Sequence, residues 1–390
     1  MSNRNLAILC IIAAVLVVWA VLQSQVTSRA RPEPESTYLI QGLNPDEIAV
    51  IVIGTGESQV TLTRQGRGFI VGPLDNYPAL SEEINKLISA CLDIQTTELY
   101  TDDAANHKDL GVTEQDARAL VKFFTADSNL ITGVVVGKLK GQGRGTYVRQ
   151  LTDNKVYVIT KSPWIKNLAV DYVQQELTDV KLEDIGSVTV AGPNETYTLK
   201  PGDDEKTVVL DNVPEGKKLK DTVANRVLTG LTGLRFDSVK KESSMAKEVN
   251  FDRQYICRLK DSTVYTFKIG QQDDSWYVKC DAEFTDKTPV TKTQGEVESE
   301  EELKKKESKL LARDGAENFS EKHKGWVYEL PSYKAENLTM KLADLLEDKA
   351  PAKTEQAVQQ TPQEPNEQTP AEIKEEIAGL NEAQSPQAQE

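Results

Sequence analysis

Runs of alternating apolar and polar residues cover much of the chain, and they fall into two groups. The first predicts strands near 47–53, 58–64, 68–71, 118–125, 131–137, 145–150 and 155–160. The second predicts strands near 185–191, 195–200, 206–210, 251–259, 263–269, 275–281 and 325–330. Each group holds a segment of helical spacing. In 79–93, Ile84, Leu87, Ile88 and Cys91 recur at i, i+3, i+4 and i+7, one buried helix face. The second such segment is 217–231, and helices near 163–176 and 332–347 are predicted to close the groups. Helices set between groups of mostly antiparallel strands give an α+β fold. Ile48, Val50 and Val52 are expected to face the core, and Trp164, Trp276 and Trp326 to be packed or half-buried.

The two groups resemble each other residue by residue. Asp46–Ile53 matches Glu183–Val190 at an offset of 137, and Ile84–Ile88 matches Ala224–Leu228 at 140. Val134–Gly137 matches Phe267–Gly270 at 133, and Tyr147–Arg149 matches Tyr277–Lys279 at 130. Val156–Val158 then resembles Val327–Glu329, and Asn167–Leu168 resembles Asn337–Leu338 at 170. Matches in one order imply a duplicated module, and the late jump in offset marks an insertion at about 286–324 in the second copy. Glu300, Glu301 and Glu302 stand four residues before Lys304, Lys305 and Lys306, which predicts an exposed helix there.

Residues 6–22 carry no charge over seventeen positions. As a helix they would reach about 25 Å, enough for a bilayer core. Leu6, Ile11, Val15, Trp19 and Leu22 are the expected anchor residues, with Trp19 at interface depth. A cleaved signal peptide is the alternative, but 23–28 offers no A-x-A-like site. Arg4 on one side and Arg29 and Arg31 on the other nearly balance, so export of the large following region rests on its size and the short leading tail. The expected organisation is an anchor at 1–28, a stalk at 29–37, modules at 38–180 and 181–348, and a tail at 349–390. The tail is rich in Pro, Gln and Glu with little to bury, so it is expected to be disordered. The expected location is the bacterial inner membrane with the bulk of the chain periplasmic.

The chain of 390 residues has 38% hydrophobic and 27% charged residues and a net charge of −15. This fits globular modules rather than a polytopic membrane protein. No basic stripe of useful length exists, so nucleic acid is not an expected partner. Cys257 and Cys280 fall on the first and third strands of a predicted meander. That separation, roughly 9–10 Å, disfavours a disulfide.

Five short motifs carry a family resemblance: Asn76-Tyr77-Pro78, Asp109-Leu110-Gly111-Val112, Val135-Val136-Gly137, Tyr147-Val148-Arg149 and Val156-Tyr157-Val158. With their partial echo in the second copy, the chain resembles the bacterial family named domain of unknown function 4340 over about residues 38–348. Proteins of this family look like single-pass components beside ABC transporters of the gliding-motility type. The resemblance therefore implies an extracytoplasmic auxiliary protein, with an ABC-transporter permease or other envelope protein as partner and membrane lipid around the anchor. It carries no catalytic residues.

Site chemistry is sparse. His107 stands among Asp102, Asp103 and Asp109, a pattern that reads as a solvated acidic loop before a metal site. His323 lies in the charged insertion and is expected to be solvated. The glycine-rich 137–145 segment lacks the phosphate-loop pattern and reads as a hairpin. Lys138, Lys140 and Arg144 are its only anion-contact candidates. No catalytic residue, cofactor or metal is expected. The leading reading is a non-enzymatic, membrane-anchored accessory protein. The alternatives are a glycan- or peptide-binding module with Tyr147, Trp164, Tyr277 and Trp326 lining a groove between the copies, and a hydrolase using a carboxylate cluster.

Overall fold

The computed structural model describes residues 19, 37–141, 145–203, 207–290 and 299–349. Anchor positions Leu6, Ile11, Val15 and Leu22, the stalk through residue 36, Arg144 and the tail beyond residue 349 lie outside these residues. Trp19 is helical and exposed. Among the described residues no helix is long and apolar enough to cross a membrane.

The first copy runs β1 (Thr37–Tyr38), β2 (Val50–Ile53), β3 (Val60–Gln65), β4 (Gly68–Val71), β5 (Tyr77–Pro78), α1 (Ser81–Leu92), β6 (Gln95–Thr96), β7 (Glu98–Thr101), α2 (His107–Leu110), β8 (Ala119–Phe124), β9 (Leu130–Leu139), β10 (Thr146–Gln150) and β11 (Val156–Ile159). The second runs β12 (Glu176–Thr178), β13 (Ile185–Ala191), β14 (Thr196–Pro201), β15 (Val208–Leu210), β16 (Lys217–Leu219), α3 (Asp221–Leu228), β17 (Leu234–Arg235), β18 (Ser238–Lys241), β19 (Arg253–Leu259), β20 (Thr263–Gln272), β21 (Ser275–Phe284), α4 (Glu300–His323), β22 (Trp326–Leu330), α5 (Ser332–Leu338), α6 (Leu342–Leu345) and β23 (Leu346–Asp348).

Two large sheets result. Sheet one has the order β5-β4-β3-β2-β8-β9-β10-β11-β7, and sheet two β15-β14-β13-β19-β20-β21-β22-β18. Apart from β5, the orders correspond strand for strand, and every pairing is antiparallel. The registers correspond too. Ile51 faces Leu62 and Phe123, as Val188 faces Leu199 and Cys257. Val148 faces Val136 and Tyr157, as Val278 faces Ile269 and Tyr328. These equivalences reproduce the sequence offsets of 137, 133 and 130.

One apolar core runs through both copies, and the described residues through Asp348 form a single compact unit. α1 presents Ile84, Leu87, Ile88 and Cys91 to it, as its spacing predicts. Glu82 and Glu83 sit in the first turn, where the helix dipole favours anions, and both pair with Lys86. Glu83 also binds Lys166, and these two lysines hold its carboxyl below the usual range.

Several expectations need correction. Ile51 and Ile53 face the core together with Ile48, whereas Val50 and Val52 are half-buried. The alternation breaks because a single 3-10 turn, Pro45–Glu47, precedes Ile48 and the strand starts only at Val50. The closing helix expected at 163–176 is extended chain with one 3-10 turn at Ala169–Tyr172, and 332–347 splits into α5 and α6. Pro163 stands at the start of the first segment, and β-branched Val170 and Val173 weaken helical preference there. Trp164 is 84% exposed.

The charged insertion forms α4, which starts with a capping box of Ser299 and Glu302 and carries the pairs Lys304–Glu300 and Lys305–Glu301. It is not wholly solvated. Its C-terminal half docks on sheet two, with Ala316 buried, the Phe319 ring 5.0 Å from that of Tyr265, and Ser320 bonded to Asp281. His323 is therefore buried at 3% exposure, against expectation.

Candidate functional site

Four of the five motifs of the sequence resemblance build one packing unit. The chain at Leu110–Val112 crosses the outer face of sheet one. There Leu110 and Val112 pack with Val135, Tyr147, Val156 and Val158. The crossing is possible because position 137 has no side chain: a Cβ there would lie 2.5 Å from the Leu110 carbonyl and 2.6 Å from Val112. Arg149 is buried and donates from Nε to the Val112 carbonyl at 3.1 Å. Its Nη1 reaches the Leu151 and Asp153 carbonyls at 3.1 and 3.0 Å. The second copy repeats the crossing over Gly270, where a Cβ would lie 2.5 Å from the Asn250 carbonyl. The counterpart of Leu110-Gly111, not visible in the sequence, is thus the Val249–Asn250 segment.

The remaining motif, Asn76-Tyr77-Pro78, joins the two copies. Asp75 and Asn76 both adopt positive φ, which short polar side chains tolerate, and so turn the chain between β4 and β5. The Asp75 carboxylate accepts from the Lys241 amide of β18 at 2.8 Å. The Tyr77 ring meets Trp326 edge-on at 4.8 Å, and its hydroxyl lies 3.4 Å from that of Tyr328. His323 Nδ1 lies 2.6 Å from the same Tyr328 hydroxyl. Burial, then the charge of Lys322, lowers the His323 pKa to about 4, so the imidazole is neutral. Burial pushes the Tyr328 phenol far above its ordinary value, so a protonated hydroxyl and a neutral imidazole share one hydrogen bond. This hub is a satisfied structural network facing the core.

The other singled-out groups are accounted for locally. His107 is buried, with Nε2 2.9 Å from the Asn154 carbonyl, rather than solvated. No group of acidic, histidine or cysteine side chains suited to a metal occurs among the described residues. Lys138 donates to the Asp109 carbonyl at 2.9 Å, and Lys140 pairs with Glu98 at 2.9 Å. Arg144 lies outside the described residues. Cys91, Cys257 and Cys280 are free and buried, and burial raises their thiol pKa values. The exposed carboxyl of Asp237 is raised by partial desolvation and then by Glu329. The proposed aromatic lining does not assemble: Tyr147 packs on Tyr100, Trp326 on Tyr77, and Trp164 is 84% exposed.

An edge strand of the first copy differs from its counterpart in the second. β7 and β18 are the corresponding edge strands of the two sheets. The first copy's turn at Asp75 covers β18, whereas β7 has no second strand neighbour among the described residues. β7 exposes Leu99 at 52% and Tyr100 at 47%, and Leu139 at the end of β9 is 60% exposed. The Lys140–Glu98 pair holds these two ends side by side. The alternation of the sequence does not mark this strand, because Leu99 and Tyr100 are adjacent rather than alternating.

The family described as domain of unknown function (DUF4340) has a model that matches residues 73–254, from the turn before β5 into β19. The match straddles both copies and is narrower than the 38–348 span of the sequence resemblance. No curated protein and no solved structure matches the chain.

Proposed function

The chain belongs to the DUF4340 family, and we propose that it is a membrane-anchored, non-enzymatic accessory protein that docks on an envelope partner through its first module. The observation that carries this reading is the β7 edge. An edge strand offers unpaired backbone groups, and soluble monomers usually blunt such edges with charge or proline. β18 carries Lys240 and Lys241 and meets the Asp75 turn, whereas β7, whose one charge Glu98 is paired with Lys140, presents Leu99 and Tyr100 with no second strand beside it among the described residues. Exposed apolar side chains on an unpaired edge favour a protein partner that adds backbone bonds and buries the rings. An N-terminal anchor at 6–22 would keep the module beside a membrane partner at high effective concentration, and an ABC-type transporter permease is the partner class this reading expects.

The test is in-cell photocrosslinking with a photoreactive residue at position 100 and, as control, at exposed Val209 of β15. The reading expects a discrete adduct with a membrane protein from position 100 alone. Equal adducts from both positions, or none, would count against it. Resistance of the protein to alkaline extraction from membranes checks the anchor separately.

A further inference from the structure

Trp164, 84% exposed, is an aromatic residue that the packing of the fold leaves unexplained. Trp326 packs on Tyr77, and Trp276 lies under the Arg253 guanidinium. Trp164 follows β11 on irregular chain and lines a cleft of about 580 Å³ together with Tyr38 of β1, which is 49% exposed. That volume lies within the ~300–1,000 Å³ of small-ligand clefts. The lining also includes Asp93, Gln95, Thr97 and Ser162. Only Asp93 and Lys161 among the lining residues are charged, so the two signs balance. The other polar groups are hydroxyls and an amide, in a protein 27% charged overall.

The cleft is built on ordered pairs. β1 pairs with β6 so that Tyr38 stands opposite Gln95, whose amide reaches the Tyr38 hydroxyl at 3.5 Å. A second, smaller cleft of about 290 Å³ shares Tyr38 and adds Gln41, Gln150, Asp153 and half-buried Tyr157, so aromatic, amide and carboxylate groups continue past the first.

We propose that this cleft binds a carbohydrate, with a pyranose ring stacked through its C–H face on Trp164 and its hydroxyls paired to Asp93, Gln95 and Thr97. A sugar ring presents an apolar face and a rim of groups that both donate and accept. Its complement is an exposed aromatic plane beside carboxylate, amide and hydroxyl side chains. A phosphorylated ligand would need unbalanced cations, and the only lysine of the lining is offset by Asp93. The length of the paired aromatic and amide surface suits several linked rings. The site lies in the first module alone and uses none of the β7 residues, so it stands or falls separately from the docking reading.

The test is calorimetric titration of the full-length protein, held in a detergent without a sugar headgroup, with cellotetraose and with chitotetraose. At least one should bind saturably. Trp164→Ala should weaken it at least tenfold with an unchanged melting temperature, and Trp164→Phe should retain affinity within a few-fold. Absence of binding to both at millimolar concentration would overturn the proposal, as would undiminished binding by Trp164→Ala. Trp164-dependent binding to phospholipid vesicles without oligosaccharide binding would also overturn it, and would assign the surface to lipid.

Discussion

Leu99 and Val239 occupy the same place in the two sheets, opposite Tyr157 and Tyr328 respectively, yet Val239 is 1% exposed and Leu99 52%. Duplication made two edges, and the tandem arrangement covers one of them with the turn at Asp75. Stability should divide accordingly. Leu99→Glu should change unfolding free energy by no more than about 0.5 kcal/mol, as exposed substitutions do. Val239→Ala should cost about 2 kcal/mol from lost burial. Urea denaturation of both variants checks this, and an equal cost would mean that Leu99 is buried in solution.

His323 couples stability to pH. Its folded pKa, about 4, lies below its ordinary value of 6.5 because of burial and Lys322. Below pH 6.5 the unfolded chain takes up a proton that the folded chain refuses. Stability is therefore complete above pH 6.5 and falls as the pH drops towards 4, by up to about 3 kcal/mol. His323→Gln should remove this slope, so the difference between the two pH profiles isolates the histidine. Parallel profiles between pH 4 and 7 would contradict a buried neutral imidazole.

Gly137 and Gly270 should be equally intolerant of a side chain. A Cβ at either would meet a backbone carbonyl at 2.5 Å and a valine methyl at 2.6 Å. Neither atom belongs to a flexible side-chain end free to swing aside. Gly137→Ala and Gly270→Ala should each cost about 2–3 kcal/mol by overpacking. Gly68→Ala, with open space around its Cβ, serves as the control and should lie near zero. Thermal unfolding of the three variants is sufficient.

Arg149 and Lys279 are sequence equivalents with different work to do. Arg149→Met leaves the Val112, Leu151 and Asp153 carbonyls without a charged donor, and about 3 kcal/mol of stability should be lost. Lys279 lies over the Phe251 ring at 4.4 Å and pairs with Glu242 at the surface. Lys279→Met should cost less than about 1 kcal/mol. Chemical denaturation of the pair separates the two outcomes.

Much of this fold was legible in the sequence because strand alternation and the duplicated order reinforce each other. β13 spans Ile185–Ala191 as read, and β4 spans Gly68–Val71 as read. Legibility failed where tertiary contacts decided. The edge strands β7 (Glu98-Leu99-Tyr100-Thr101) and β18 (Ser238-Val239-Lys240-Lys241) lack apolar–polar alternation, and are strands only because β11 and β22 pair with them. His323 sits at the end of a helix whose charge pattern reads as solvated. It is buried because Phe319 and Tyr328 pack around its ring, a contact that no local pattern announces. Trp164 illustrates the reverse: a large aromatic is normally packed, and nothing near Lys161–Lys166 tells that its ring faces solvent.

The most direct test of the docking account is purification of the tagged full-length protein from its native membranes in mild detergent, beside a Leu99→Glu/Tyr100→Glu variant of matched melting temperature. The account predicts stoichiometric recovery of a membrane partner, such as a transporter permease with its ATPase, from the wild type and its loss from the variant. Recovery of the protein alone from wild-type membranes, or of the same partner with both proteins, would contradict it.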